Sequence, residues 1–346
     1  MPFWHLYGFA RYIPELKTLS TRLEALYITY IEGTPQNEWC ADFTFRKINL
    51  PYRFIRSKTL RFFLSRRRFF SQIRDVDVDL IYSMGGTWEQ ESARYLARKM
   101  GVPYVVRLRG DLREVRKAFK VNFAKMKLLD YLDIRSLRDA DLVIPISEAL
   151  AEKIKSWGVD ERKVSQSVPI GVDTEMFRPM KVQRSSDFTV AYAGRLSLEK
   201  GVFRLQELIK KLSHIHFIVA GPKETDIPFP SNVSYYGWLP HHEMPVFYNK
   251  ADLVILPSFT EGFPNVILEA YACEKPVLAT PEAFPRELKI FGAVANFKDF
   301  ETVIEQLKHS NLKPLGREAR LYVEKNFKWE NFGENIFKFL KVVLRV

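Results

Sequence analysis

The sequence predicts an α/β fold with two domains, each built on a doubly wound parallel sheet. The chain has 346 residues, enough for two domains of ordinary size that each bury a core. Its 47% hydrophobic content is typical of a globular protein rather than a disordered one. The third observation is local: at 253–281 an apolar run, a Gly-containing turn and a helical apolar spacing follow one another.

That stretch predicts a buried strand, Leu253–Leu256, and a helix that begins near Asn265. Pro264 suits the first helical turn, where an amide can be spared, and Lys275-Pro276 ends the helix before a second short strand at 277–279. The free amides and the dipole at the start of such a helix attract phosphate.

Two carboxylates accompany this helix. Glu261 follows the strand and Glu269 lies about one turn into the helix, so both can face the same crevice. A carboxylate repels phosphate, and each Glu is therefore better suited to accept hydrogen bonds from hydroxyl groups. Hydroxyl-binding carboxylates around a diphosphate indicate a nucleotide-sugar. The alternative is a helix cap with a solvated Glu.

Three segments carry a resemblance to a known family. Glu261-Gly-Phe-Pro-Asn-Val-Ile-Leu-Glu269 resembles the Glu-x7-Glu motif of the family 4 retaining glycosyltransferases, which have the GT-B fold. Residues 193–201 resemble the diphosphate-binding segment of that family, and residues 170–179 resemble its hinge, with Ile170 in place of an Asn. The similarity extends from about Asp79 to the C-terminus and is strong in the second half. It implies two Rossmann-like doubly wound domains that face a central cleft.

The domain boundary is predicted at a polar, aperiodic linker, residues 180–187. Residues 1–180 form the predicted N-terminal, acceptor-side domain, and residues 187–329 form the predicted C-terminal, donor-binding domain. The resemblance implies that an amphipathic helix at 330–346 packs back on the N-terminal domain.

The N-terminal end departs from the family pattern. In the family, a first strand and a Gly-rich turn precede the helix predicted here at Arg11–Glu24 and the strand predicted at Ala25–Ile31. Only residues 1–9, with Gly8, precede that helix, so we expect either a missing first strand or further residues upstream. Loss of this central strand would leave its neighbours with unpaired edges.

Positive charge is concentrated in the first half of the chain. Residues 1–178 contain 31 Lys and Arg against 22 Asp and Glu, a net +9 of the total +12. Within them, Arg56–Arg74 interleaves basic and aromatic residues and is predicted to be a helix that suits an anionic membrane surface. The alternative is a packing helix with a solvated basic face. Nucleic acid is not expected as a partner, because no nucleic-acid-binding motif accompanies the charge.

A second basic amphipathic stretch is found at Arg113–Leu129, which could flank the acceptor site or be a solvated face. Four strands are predicted around it, at 78–83, 102–107, 139–147 and 164–168. Ser147 is positioned to cap the helix that follows the third of them.

The turns after the first two of these strands are the predicted acceptor side. They contain Gly85-Gly86 and Arg109-Gly-Asp111, and ligands bind beyond the carboxyl ends of parallel strands. The second turn resembles the His-Gly-Asp segment of the family, with Arg109 in place of the His. Arg109 stays protonated and cannot act as a base, but with Arg107 it could hold a phosphate or an acceptor anion. The alternative is a salt bridge from Arg109 to Asp111 or to a neighbour.

The donor side begins with a strand predicted at 188–193, followed by Gly194, which allows close approach of a ligand. Arg195 and Lys200 put two cations beside it, and Gly201 opens a helix. Arg binds phosphate bidentately and Lys acts as a point charge, which predicts a diphosphate site; isolated, the same residues would more often be surface positions. Strands are also predicted at 216–220 and 233–239, and the resemblance implies that the second lines the nucleotide base, with Tyr236, Trp238 and Leu239 as candidates.

The resemblance implies a retaining hexosyltransferase of class EC 2.4, which moves a sugar from a nucleoside-diphosphate sugar of the UDP or GDP type to an acceptor hydroxyl. Arg195 and Lys200 would neutralise the leaving diphosphate, Glu261 would bind the donor sugar, and Glu269 would bind the ribose. The predicted catalytic residues are thus Glu261, Arg195, Lys200 and Arg109. The predicted donor-binding residues are Gly194, Arg195, Lys200, Leu239, Glu261, Gly262, Phe263, Pro264, Asn265, Val266 and Glu269, and the predicted acceptor-side residues are Gly85, Gly86, Arg109 and Asp111.

No metal or other cofactor is expected, because the resemblance implies that two cations take the place of a metal. His241 and His242 would point apart on a helix and have no third ligand. Cys40 and Cys273 fall in different predicted domains, which indicates a reducing, cytoplasmic setting. No run reaches the ~18 apolar residues of a membrane span, and the N-terminus lacks a signal pattern. The expected location is therefore the cytoplasm, with peripheral attachment to the inner face of the membrane as an alternative.

Two other functions are weighed against transfer to a glycan or lipid-linked acceptor. The first is a nucleotide-sugar-binding GT-B protein without transferase activity, which Arg109 and the missing first strand favour. The second is a basic adaptor that would bind anionic vesicles or oligonucleotides without any nucleotide-sugar.

Overall fold

Two units make up the described chain. The computed structural model describes residues 27–30, 44–47, 70–71, 74–118 and 122–345. One unit contains the described residues up to Val168 and those from Phe332 on, and the other contains Pro169–Asn331. The division precedes the predicted linker because residues 169–187 are tied to the second unit. The Met180 amide donates to Asn249 Oδ1 at 2.9 Å, and Arg184 pairs with Asp252 at 2.6 Å.

Parallel strands organise the first unit. One sheet pairs β1 (Tyr27–Tyr30) with β2 (Thr44–Lys47), and another has the order β3 (Ile81–Ser83), β4 (Tyr104–Leu108), β5 (Leu142–Pro145). Its described helices before Val168 are α1 (Thr87–Met100), α2 (Leu112–Ala118), α3 (Phe123–Asp139) and α4 (Glu148–Ser156). The strand–helix alternation places helices between parallel strands, as the sequence predicts.

The predicted strands at 25–31, 78–83, 102–107 and 139–147 are confirmed, each within a few residues. The predicted strand at 164–168 is wrong as a regular strand. Val164 forms an isolated bridge with Val143, and the Val168 amide donates to the Pro145 carbonyl at 2.9 Å. Pro145 has no amide hydrogen with which to continue the ladder. The helix predicted at 11–24, and that at 56–74 apart from residues 70, 71 and 74, lie outside the described residues.

A six-stranded parallel sheet forms the centre of the second unit. Its strands are β6 (Thr189–Ala193), β7 (His216–Ala220), β8 (Val233–Gly237), β9 (Leu253–Leu256), β10 (Val277–Ala279) and β11 (Gly292–Val294). The helices of this unit are α5 (Val202–Lys211), α6 (Met244–Asn249), α7 (Asn265–Ala272), α8 (Phe300–Lys308) and α9 (Lys313–Asn326). The strand order β8-β7-β6-β9-β10-β11 corresponds to 3-2-1-4-5-6, the order of a Rossmann sheet.

Burial explains why these segments are strands and helices. β6 and β9 are buried at every position, as expected of central strands covered on both faces. In α5 the inward residues are Val202, Leu205, Leu208 and Ile209, which repeat at helical spacing and pack into the core with Phe217 of β7.

The last helix, α10 (Trp329–Leu344), begins in the second unit and continues in the first. Its buried residues Phe332, Ile336 and Leu340 recur every four positions, which is the spacing of one helix face. Among the described residues, none of the helices combines the length and the hydropathy that a membrane-spanning segment requires.

Candidate functional site

The second unit has a switch point in its sheet between β6 and β9. These two strands are neighbours, while β7 extends the sheet to one side of β6 and β10 extends it to the other side of β9. In open α/β sheets, ligands bind beyond the carboxyl ends of the strands at such a point. The turn at 194–201 follows β6 and the turn at 257–264 follows β9, so both predicted motifs meet at this edge.

The two turns are joined by their backbones. The Phe259 amide donates to the Glu199 carbonyl at 2.9 Å, and Arg204 Nη1 donates to the Pro257 carbonyl at 3.2 Å. Gly201 has a φ of 76°, and a Cβ added to it would lie 2.2 Å from the Pro257 oxygen. Only glycine fits this contact, because any side chain would push the two turns apart.

Lys200 and Glu261 bind each other across the switch point. Lys200 Nζ lies 2.5 Å from Glu261 Oε2, and Ser258 Oγ donates to Glu261 Oε1 at 2.8 Å. The Glu261 side chain is only 10% exposed. The sequence assigned these two residues to separate parts of a ligand, and the structure brings them into direct contact.

Arg195 is held by two carboxylates that were not predicted. Its Nη2 donates to Glu199 at 2.6 Å, and its Nη1 donates to both oxygens of Glu224 at 3.0 and 3.2 Å. Glu199 stands four residues after Arg195, a spacing that could have been recognised. Glu224 follows β7 and reaches Arg195 only through the tertiary structure. Arg has five N–H donors, so these bonds leave capacity for a phosphate.

Glu269 is buried, with 8% of its surface exposed, and each of its oxygens has a partner. Tyr248 Oη donates to Oε2 at 2.7 Å, and His241 Nε2 donates to Oε1 at 3.0 Å. The hydrogen bond to Glu269 raises the pKa of His241, because the carboxylate favours the protonated ring. Burial, followed by the charge of Glu269, raises the pKa of Tyr248 and keeps its hydroxyl protonated. His241 was predicted only as part of a histidine pair without a metal, and it begins a 3-10 turn, His241–Glu243, before α6.

The remaining predicted donor-binding residues surround the same edge. Gly194 follows β6, and Leu239 lies shortly after β8 and is partly exposed. Phe263 is 7% exposed and packs against Phe327, so it can offer a ligand only its backbone. The other members of the set are Gly262, which is exposed, Pro264, which caps α7, and Asn265 and Val266, which open it. The first amides of a helix have no intrahelical acceptor and are available to an anion.

In the first unit, the predicted acceptor-side residues follow β3 and β4. Gly85 and Gly86 form the turn before α1, and Arg109 comes directly after β4 and is partly exposed. Asp111 caps α2 by accepting from the Arg113 amide at 3.0 Å, and its other oxygen lies 3.3 Å from Lys153 Nζ. Asp111 is thus a capping residue that pairs with Lys153.

Two basic residues of this unit point inward, contrary to their predicted surface or ligand roles. Arg107 is fully buried, donates to the Pro145 carbonyl at 3.0 Å and lies 5.6 Å from the Phe332 ring centroid. It is therefore not placed to share a phosphate with Arg109. Arg116 is 8% exposed and pairs with Asp130 and Asp133, so it belongs to a buried ion network rather than to a solvated face.

Two family models match the chain. The model of the glycosyl transferases group 1 matches residues 173–310, and that of the glycosyl transferase 4-like domain matches residues 22–166. A putative teichuronic acid biosynthesis glycosyltransferase of Bacillus subtilis (strain 168), TuaC, is 29% identical over 222 residues, which is 60% of this chain and 54% of that protein. The capsular polysaccharide biosynthesis glycosyltransferase CapM of Staphylococcus aureus is 26% identical over 45% of this chain and 48% of its own. The match thus spans about half the length of these curated relatives.

Solved structures agree on the fold. Sucrose-phosphate synthase from Thermosynechococcus elongatus superposes with a TM-score of 0.77 at 17% identity, over 97% of this chain and 93% of that one. Anabaena HepE in complex with UDP and glucose gives a TM-score of 0.72 at 16% identity, over 95% of each chain. With its two α/β units and its Rossmann strand order, the protein has the GT-B fold. It belongs to the group 1 glycosyltransferases, because the two family models together match most of the chain, residues 22–166 and 173–310.

Proposed function

We propose that the protein transfers a sugar, with retention at the anomeric carbon, from a nucleoside-diphosphate sugar bound at the switch point of the second unit. The observation that carries this proposal is the Lys200–Glu261 contact of 2.5 Å, which joins the two family motifs at one edge of the sheet. A cation for the diphosphate and a carboxylate for the sugar then lie side by side.

Arg195, Lys200 and the amides at the start of α7 supply the positive charge of the proposed site. They stabilise the charge that develops on the leaving diphosphate, and removal of a comparable donor costs about 2–4 kcal/mol of transition-state stabilisation. This fixed charge makes a metal ion unnecessary in the proposed reaction. Glu199 and Glu224 hold the guanidinium in place before the donor binds.

Glu261 and Glu269 provide the acceptor atoms for hydroxyl groups. In the proposed complex Glu261 binds the donor sugar and stabilises positive charge on its ring, while Glu269 binds the ribose. A carboxylate has about four lone-pair positions. Each Glu makes two bonds within the protein, so each keeps capacity for a ligand.

We propose a UDP-sugar as the first donor to test and a glycan or lipid-linked acceptor. The structural neighbour HepE was solved with UDP-glucose, and relatives are named for teichuronic acid, capsular polysaccharide and colanic acid biosynthesis and as an alpha-galactosylglucosyldiacylglycerol synthase. The diacylglycerol in the last of these names supports a lipid-linked acceptor, and we propose that the reaction takes place close to a membrane. Contact of Arg56–Arg74 with anionic lipid stays a prediction, because all of this segment except residues 70, 71 and 74 lies outside the described residues.

A thermal-shift screen of UDP- and GDP-sugars tests the donor site. We expect one donor to raise the melting temperature of the wild type and to have no such effect on Arg195→Ala/Lys200→Ala. Lys211→Ala is the control, because it removes a cation at the far end of α5, away from the turn at 194–201, and its pair with Glu207 is about half exposed. Equal stabilisation of the double variant, or no stabilisation of folded wild type by any donor, would contradict the proposal.

The second candidate, nucleotide-sugar binding without transfer, is favoured by Arg109 at the position of the family His. Release of free nucleotide in the presence of an acceptor panel separates the two functions. If Arg109 acts on the acceptor side, Arg109→Ala lowers turnover and leaves the donor-induced thermal shift intact. Loss of the shift in this variant would instead assign Arg109 to the fold or to the donor.

A further inference from the structure

Two of the segments that resemble the family contact the same pair of ring side chains. His241 and Tyr248 hydrogen-bond the Glu269 carboxylate at 3.0 and 2.7 Å. The Phe177 ring of the segment at 170–179 packs against both, with its centroid 5.1 Å from that of His241 and 6.1 Å from that of Tyr248. We call these three rings the ring cluster. Phe177 and Tyr248 are almost fully buried, so the cluster has a fixed packing.

The hydrogen bonds of the ring cluster have only one possible direction. An ionised carboxylate accepts and cannot donate, so the hydrogen atoms lie on His241 Nε2 and Tyr248 Oη. Each donor binds a different oxygen of Glu269. The terminal torsion of a Glu side chain is otherwise broad, and two donors on different oxygens fix it. The ring cluster therefore sets the direction of the lone pairs that stay free.

The backbone around the ring cluster is also held in place. Asn249 of α6 donates from its amide nitrogen to the Arg178 carbonyl at 2.8 Å. Arg320 of α9 donates from Nη1 to the Phe177 carbonyl at 3.2 Å and to the carbonyl of Ala272, the last residue of α7, at 2.6 Å. Helices α6 and α7, which provide the ring cluster with Tyr248 and the site with its carboxylate, are thus tied to one stretch of chain.

Glu269 needs these donors because it is buried, with 8% of its surface exposed. A buried carboxylate that loses a hydrogen-bond donor either turns toward other donors or takes up a proton. Both changes alter the positions at which it can accept hydrogen bonds from a ligand. Removal of a donor from the ring cluster should therefore be felt by a hydroxyl group that binds Glu269, even if the ligand never touches the rings.

We propose that His241 and Tyr248 are positioning residues that set the ribose specificity of the donor site, by orienting Glu269 toward the two hydroxyls of a ribonucleoside diphosphate. This inference rests on the proposed function, in which Glu269 binds the ribose. A carboxylate has about four lone-pair positions, of which the ring cluster uses two and the two ribose hydroxyls use the others. A sugar without these hydroxyls would leave the buried carboxylate partly unsatisfied, and a site of this kind rejects such an analogue.

Calorimetric titration of the full chain with UDP and with 2′,3′-dideoxy-UDP tests this proposal. We expect the wild type to prefer UDP by about tenfold or more. His241→Phe and Tyr248→Phe each keep a ring and remove one donor. They should weaken UDP binding and reduce the preference several-fold, with little change in the affinity for the dideoxy nucleotide. If GDP is the nucleotide that binds, the corresponding guanosine pair is used.

Two further variants separate orientation of Glu269 from a structural role of the ring. His242→Phe changes the neighbouring histidine, whose side chain is 76% exposed and lies 3.9 Å from Glu243, and it should leave the preference unchanged. His241→Gln supplies an amide N–H in place of the ring N–H and should restore most of the preference. A ring needed only for packing on Phe177 would be replaced better by Phe than by Gln, which is the opposite order.

The outcomes distinguish this inference from the proposed function. Folded His241→Phe with the preference of the wild type, equal weakening of both nucleotides, or no restoration by Gln would overturn the positioning role and leave the donor site standing. Failure of the folded wild type to bind either UDP or GDP would instead contradict the donor site and the inference together. Circular dichroism and thermal denaturation check that each variant is folded.

Discussion

The Glu269 carboxylate accepts hydrogen bonds from His241 and Tyr248, which precede it by 28 and 21 positions. Neither spacing corresponds to a helix or turn contact, so the sequence could identify the carboxylate and not its donors. The same holds for Arg195, whose partner Glu224 stands 29 positions away. Side-chain motifs are readable from the sequence, whereas the groups that hold them in place depend on how strands pair.

The His241–Glu269 bond predicts a pH dependence. Because the folded pKa of His241 is raised above the unfolded value of about 6.5, the pair stabilises the fold fully below pH ~6.5, and this stabilisation is lost as the pH rises through the folded pKa. NMR titration of the His241 ring, assigned with His241→Gln, measures the shift. Glu269→Gln should lower this pKa. An unchanged pKa in Glu269→Gln would show that another group causes the shift.

At the scale of elements, the strand–turn–helix units β6–α5 and β9–α7 were predicted correctly, because each has a continuous apolar strand and a helical apolar spacing. The short strand β11, Gly292–Val294, was not predicted, since glycine and alanine have low strand propensity and make up two of its three residues. The predicted strand at 164–168 was wrong because the alternation of Val164 and Val168 with polar residues does not reveal that the partner strand ends at Pro145.

The contact between the two turns of the candidate site depends on Gly201. We expect Gly201→Ala to lower the free energy of unfolding by about 2–4 kcal/mol, because it combines a positive φ with a Cβ that would meet the Pro257 carbonyl. Gly237→Ala is the matched control: its φ is 67° and no atom lies within 4 Å of the added Cβ, so it should cost only about 1 kcal/mol. Thermal denaturation with and without the stabilising donor measures both effects.

The donor-induced shift should also shrink in Gly201→Ala and persist in Gly237→Ala, because only the first change displaces Lys200 relative to Glu261. Similar melting temperatures for the two variants would mean that the turns can separate without consequence for the fold or the site.

At the scale of the whole molecule, the chain forms two units with their own parallel sheets. We expect its thermal unfolding not to be two-state, and a saturating nucleotide-sugar to raise chiefly the transition of the second unit. At a ligand concentration of a hundred times Kd, the stabilisation should be roughly 2.7 kcal/mol. Differential scanning calorimetry with and without the donor tests this. One transition with equal calorimetric and van't Hoff enthalpies would contradict it.

The sequence by itself determined the fold class, the family and the donor-side motifs. Apolar periodicity marks β6, β9, α5 and α7, and the spacing of Glu261 and Glu269 is local to one turn and one helix. The tertiary structure decided which charged side chains are exposed to a ligand and which are buried or paired within the protein. It buries Arg107 and Arg116 and pairs Lys200 with Glu261. The reason is physical: secondary structure follows from neighbours along the chain, whereas burial and ion pairing follow from contacts between residues distant in sequence.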